Sequence, residues 1–152
     1  MSKIIHHAVR LRCDTRRAFD MFTVSELLAS WLARQAEVEP VRGGKYELFW
    51  DPLDRGRNST LGCRVTTVDP GRFLAFEWKG PDQFQHFMNT ARPLTQVEVF
   101  FVAGEQRLRP CTEVHLIHSG WRDSAEWEQA RQWFDRVWGE AFAALGRHVN
   151  GD

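Results

Sequence analysis

Three cysteines, one tyrosine and no net charge are what this chain of 152 residues has least of, and each shortage excludes something. Cys13, Cys63 and Cys111 are odd in number, far apart and in no CxxC pair. A disulfide framework or a zinc cluster is thereby excluded, which leaves reduced thiols and a cytoplasmic location as the expectation. Lys plus Arg equals Asp plus Glu, at 20 each. Without a basic excess there is nothing to drive phosphate binding, so nucleic acid is not an expected partner. No window approaches the ~18 apolar residues of a membrane span. The start, Met1 to His7, carries no apolar core of a secretory signal. There is no Gly-rich phosphate loop, no GxSxG elbow and no HExxH motif. His115 and His118 are three apart, on opposite faces of a strand, and do not suit a shared metal. No metal and no cofactor is expected.

What is there is aromatic. Seven Trp and eleven Phe stand in a chain that is 43% hydrophobic, the composition of a globular protein with a real core. Residues 3–149 are expected to form one domain. After Asp123-Ser124 the apolar residues Trp127, Ala130, Phe134, Val137, Trp138, Ala141, Leu145 and Val149 recur in steps of three and four. That spacing predicts one helix over about 124–148, with Asp123 as its N-cap and Glu126 completing a capping box. Gly139 inside it should cost ~1 kcal/mol relative to Ala unless close packing requires it.

Most of the chain before that helix alternates like strands. Ile4–Leu11 reads as the first. Asp14 or Thr15 then caps a short helix bearing Ala18, Phe19 and Phe22, and Ser25 caps another bearing Leu28, Trp31 and Leu32. Further strands are read at Lys45–Trp50, Leu61–Val68, Phe73–Lys79, Thr95–Ala103 and Cys111–Gly120, the last two joined by the loop Gly104–Pro110. Tyr46, Leu48 and Trp50 share one strand face, with Glu47 opposite, toward solvent; Leu74, Phe76 and Trp78 share a face of another, with Glu77 opposite. Residues 80–94 are too many for a hairpin. Phe84, Phe87 and Met88 suit a short amphipathic helix there, either a flap over a cavity mouth or a loop pinned by core aromatics.

This order is an α+β, helix-grip (START-like) plan: a curved antiparallel sheet of about six to seven strands wrapped on a long C-terminal helix, with two short helices after strand one. Trp31-Leu32, Val38-Glu39-Pro40, Gly43 to Trp50, Gly62 to Val65, Asp69-Pro70, Leu74 to Trp78 and Thr112 to Trp121 also stand in a familiar order. In these segments the chain resembles the family of homologues of the activator of heat-shock protein 90 ATPase, within the START-like (SRPBCC) superfamily. The resemblance covers roughly Lys3 to Val149 and implies a fold with a cavity rather than a reaction. The eukaryotic activator has a separate N-terminal domain that engages the chaperone. This chain starts directly with the helix-grip unit, which counts against co-chaperone action.

The expected function is binding of a small, mainly apolar molecule between sheet and helix by a monomer or weak dimer. The alternatives are a cyclase- or hydrolase-like enzyme and a chaperone-related interaction module. The candidate lining is Trp31, Tyr46, Trp50, Phe76, Trp78, Phe84, Phe87, His118, Phe134 and Trp138, because aromatics bring large apolar area with defined geometry. Tyr46, the only tyrosine, is the expected polar handle. His118 is the one candidate general acid or base. Its ring nitrogens are expected to bond to backbone where strand meets helix, so no catalytic residue is assigned.

Overall fold

The alternating segments do form strands, and the computed structural model of the chain describes residues 3–105 and 109–151. The elements in order are β1 (Ile5–Leu11), α1 (Thr15–Thr23), α2 (Ser25–Leu28), β2 (Gln35–Val38), β3 (Tyr46–Phe49), β4 (Val65–Asp69), β5 (Phe73–Trp78), α3 (Gln85–Met88), β6 (Thr95–Ala103), β7 (Thr112–Ser119) and α4 (Ala125–Asn150). Five strands make one antiparallel sheet in the order β1-β7-β6-β5-β4, and β2 and β3 pair separately. Tyr46 N–H donates to Cys63 O at 2.9 Å and Val65 N–H to Gly44 O at 2.8 Å, so β3 continues the sheet past β4. Residues 106–108, in the predicted loop Gly104–Pro110, lie outside the described residues.

Alternation fixes which face is buried. Val97, Val99 and Phe101 of β6 and Val114, Leu116 and His118 of β7 point inward under α4. On α4 the fully enclosed stripe is Ala130, Phe134, Trp138, Phe142 and Leu145. Each large apolar side chain so buried contributes roughly 1.5–3 kcal/mol. Val137 and Ala141, part of the apolar repeat read from the sequence, sit on the flank of that stripe and are only half-buried. The helix cap is Ser124, one residue later than predicted. Its backbone is extended and its Oγ accepts from Trp127 N–H at 3.2 Å. Glu126 reaches out to His86 instead, at 2.6 Å.

Gly139 has a steric reason. A Cβ there would lie 3.2 Å from the His7 ring of β1, and one at Gly146 would lie 3.2 Å from Val9. Two glycines a heptad apart thus let α4 lie close on the edge strand. His7 Nε2 is then 2.8 Å from both the carbonyl and a carboxylate oxygen of Asp135. The helix is held where it leaves room on its other flank.

β3 departs from the simple pattern, since all four of its residues are buried. Glu47, expected toward solvent, is 8% exposed, and its carboxylate accepts from Gly62 N–H at 2.8 Å. Gly62 has a φ of +90°, so the turn it makes folds the chain back over β3 and covers that face. Glu77 keeps a half-exposed position and accepts from Arg64 N–H at 3.0 Å.

Candidate functional site

The flank of α4 that the sheet leaves uncovered opens on a cleft of about 580 Å³. Four parts of the chain wall it. α4 supplies Trp133, Phe134, Val137, Trp138 and Ala141, in steps of three and four. The segment after α2 supplies Trp31 and Leu32. The end of β3 and its loop supply Trp50 and Asn58. The end of β5 supplies Trp78, followed by Lys79, Gly80 and Pro81. Five of the seven tryptophans therefore line one space.

Indole N–H groups hold three of these rings in place. Trp31 donates to Met21 O at 2.9 Å, Trp50 to Leu32 O at 2.9 Å and Trp138 to His118 Nδ1 at 3.1 Å. Trp78 differs. It is 3% exposed, and its Nε1 is buried without a hydrogen-bond partner. Its ring packs against Trp138, 5.0 Å between centroids, and edge-on against Trp50 at 6.0 Å. The ionisable lining is Asp51, Lys79 and Glu140.

The other predicted lining residues lie behind or beside the cleft. Tyr46 is fully buried and stacked on Phe76, with centroids 3.7 Å apart. Its hydroxyl donates to Phe22 O at 2.7 Å, which makes it a tie between β3 and α1 rather than a handle for a ligand. Burial pushes its phenol pKa up. Phe76 fills the layer beneath, 5.9 Å from Trp78. Phe84 packs on Trp133 at 5.7 Å and Phe87 on Trp127 at 5.0 Å. Together with Asn89, which bonds both N–H and C=O of Gly80, they pin residues 80–94 against α4. The start of the segment, at Gly80 and Pro81, forms part of the cleft.

His118 is wholly enclosed under the helix and does not reach the cleft. Trp138 can only donate, so Nδ1 of His118 is the acceptor and Nε2 carries the proton, donating to Thr95 Oγ1 at 3.0 Å. Both ring nitrogens are thus engaged by side chains, not by the backbone groups expected. Burial lowers the pKa to about 3. A neutral ring with no free nitrogen has no proton to exchange with a bound molecule, so His118 has no acid–base role there. It acts as a strut that sets the orientation of Trp138, a wall of the cleft.

These walls sit on a known frame. A family model described as Activator of Hsp90 ATPase homolog 1-like protein matches residues 12–150. The chain belongs to that family. Its fold is the family's helix grip. A protein of Mesorhizobium loti superposes with a TM-score of 0.74 at 15% identity, covering 97% of each chain. An Hsp90 activator of Plasmodium falciparum gives 0.71 at 17% identity, covering 97% of this chain and 96% of that one. An Aha1 dimer of Colwellia psychrerythraea gives 0.68 at 14%, with the same coverages. At such identities these likenesses concern the fold alone. Comparison with curated proteins gives no sequence match.

Within the family's frame, this chain's cleft is apolar with a sparse polar edge. Among the described residues no group of three or more His, Cys, Asp or Glu could hold a metal. His6 Nε2 and His115 Nδ1 lie 3.0 Å apart, but on exposed ground away from the cleft. All three cysteines are free thiols. No helix among the described residues is long and apolar enough to cross a membrane. Trp133 stands outside the apolar stripe read from the sequence, although that stripe includes Val137 and Ala141. Its steps to Val137 and Ala141 mark a second, adjacent stripe, and that is the one that borders the cleft.

Proposed function

We propose that this protein binds a small, mainly apolar molecule in the cleft between α4 and the open side of the sheet. The observation that carries this reading is the lining: five tryptophans around about 580 Å³, three of them held by hydrogen bonds to their own scaffold. A space of that size, mostly apolar with a few polar groups, is the usual form of a small-molecule site. Non-catalytic binding is favoured over a cyclase or hydrolase, because the one titratable ring near the site is sealed away from it and the ionisable groups of the lining are engaged by the chain itself, Asp51 by Leu53 N–H, Lys79 by Leu61 O and Glu140 by Arg136. The chaperone-related alternative rests on relatives described as Hsp90 activators and on no residue of this chain. Free thiols accord with a cytoplasmic location.

The test uses the neutral fluorescent probe N-phenyl-1-naphthylamine. Native protein is expected to bind it saturably, one to one, with energy transfer from tryptophan. Replacing the half-buried Ala141 by Trp fills the cleft and is expected to weaken binding about tenfold or more. Binding must persist where unfolding is undetectable, since molten states also take up such dyes. Absence of saturable binding, or equal binding by the Ala141→Trp protein, refutes the proposal.

A further inference from the structure

Beneath the cleft wall lies a donor with nothing to donate to. Trp78 Nε1–H is the only side-chain nitrogen among the described residues that is buried without a hydrogen-bond partner. Leaving such a group unpaired costs about 1–3 kcal/mol, a cost a folded protein rarely carries without reason. The three neighbouring indoles that share the cleft and have partners bond to Met21, Leu32 and His118. Trp78, whose ring also lines the cleft, is offered no acceptor by the chain. An acceptor brought by the ligand would remove the deficit, and only the bound state would gain by it.

The charges near the ring narrow the acceptor further. Lys79 follows Trp78, but its ammonium already donates to Leu61 O at 2.7 Å. Asp51 and Glu140 also line the cleft, so carboxylates outnumber the single cation. A carboxylate ligand would meet them as like charges and would have to shed its water to reach a buried indole. A neutral oxygen meets neither obstacle. A carbonyl accepts in the plane of its substituents, which suits a flat frame lying between aromatic rings.

We infer that the cleft selects neutral, largely apolar molecules bearing a carbonyl-type oxygen, and that Trp78 Nε1–H is the group that recognises this oxygen. The inference rests on the cleft's being a ligand site and adds the ligand's class. Trp78 Nε1 is closed to water. Trp78 would thus fix the orientation and identity of the ligand, while the surrounding rings supply most of the apolar contact.

The test compares fluorene, 9-fluorenone and fluorene-9-carboxylate, which share a frame and differ at one carbon. Fluorenone is expected to bind about fivefold or more tighter than fluorene, the range of one recovered hydrogen bond, and the carboxylate more weakly than fluorenone. In the Trp78→Phe protein the preference of fluorenone over fluorene should shrink to within about twofold. Should that variant fail to fold, the wild-type protein suffices. Its Trp78 indole proton should move downfield in NMR spectra with fluorenone and not with fluorene. Equal affinity for fluorene and fluorenone with an unmoved Trp78 proton overturns the inference and leaves the cleft a binding site. An indole proton shifted upfield in the free protein and unmoved by fluorenone, as for a donor resting on a ring face, overturns it too. Tightest binding of the carboxylate overturns the neutrality of the ligand. Binding of none of the three overturns this inference, and the ligand-site reading beneath it falls with it only where N-phenyl-1-naphthylamine also fails to bind.

Discussion

Acid should loosen this protein through one buried ring, and replacing His118 with Gln should remove that sensitivity. In the folded chain His118 is fully enclosed, accepts from Trp138 and donates to Thr95. Desolvation lowers its pKa from 6.5 to about 3. In the unfolded chain the ring titrates near its ordinary value. Between those two values the unfolded state holds a proton that the folded state does not, so stability falls as pH falls below about 6.5. Each pH unit well inside that window contributes about 1.4 kcal/mol of loss. From about pH 7.5 to about pH 5 the loss from this ring is roughly 2 kcal/mol. Gln offers an acceptor for the Trp138 N–H and a donor for Thr95, and it does not titrate. The assay is urea unfolding of both proteins at those two pH values. The variant starts less stable, because its shape differs, but its loss on acidification should be smaller than the wild type's by roughly 2 kcal/mol. The other histidines are common to both proteins and cancel in the comparison. If the two proteins lose the same stability, His118 is not held neutral in a closed site, and its assignment as a strut is wrong.

Three other outcomes are expected. Trp138→Ala should destabilise by about 3–5 kcal/mol in denaturant unfolding, the range for a large buried aromatic, and by more than His118→Gln; a loss below about 1 kcal/mol would place the ring at the surface. Tyr46→Phe should cost about 1–2 kcal/mol through the orphaned Phe22 carbonyl while leaving probe affinity within about twofold, because the hydroxyl ties β3 to α1 and touches no ligand. Ser124→Ala should cost about 1 kcal/mol and Asp123→Ala much less, as thermal unfolding would show, since Ser124 is the residue whose side chain caps α4.

The fold was legible in the sequence because its signals are periodic and long. Alternation over Thr95–Ala103 and Cys111–Gly120, and the steps of three and four from Trp127 to Val149, each survive an error of one residue at the ends. The site was less legible because a cleft is defined by what the backbone fails to cover. Nothing in the spacing of Tyr46 tells whether its hydroxyl meets a ligand or the Phe22 carbonyl, a residue 24 positions away. Glu47 reads as a solvent-facing residue until the Gly62 turn folds over it. His118 reads as a candidate acid or base because its enclosure depends on Thr95 and Trp138, which only the tertiary fold brings to its two nitrogens. Trp31, Trp50, Trp78, Phe134 and Trp138 line the cleft because aromatics on inward faces of neighbouring elements converge there. Phe84 and Phe87 share the aromatic signal but support the wall from behind, and sequence spacing does not separate a lining ring from a backing one.

The most direct test of small-molecule binding at this cleft is a titration of nitrogen-labelled protein with N-phenyl-1-naphthylamine, read at the indole N–H signals by NMR. All seven tryptophans report, five from the cleft lining and two, Trp121 and Trp127, from outside it. The signals of Trp31, Trp50, Trp78, Trp133 and Trp138 should move together with one dissociation constant, while those of Trp121 and Trp127 stay within noise. Signals that never move, or that move first at Trp121 and Trp127, would contradict binding at this cleft.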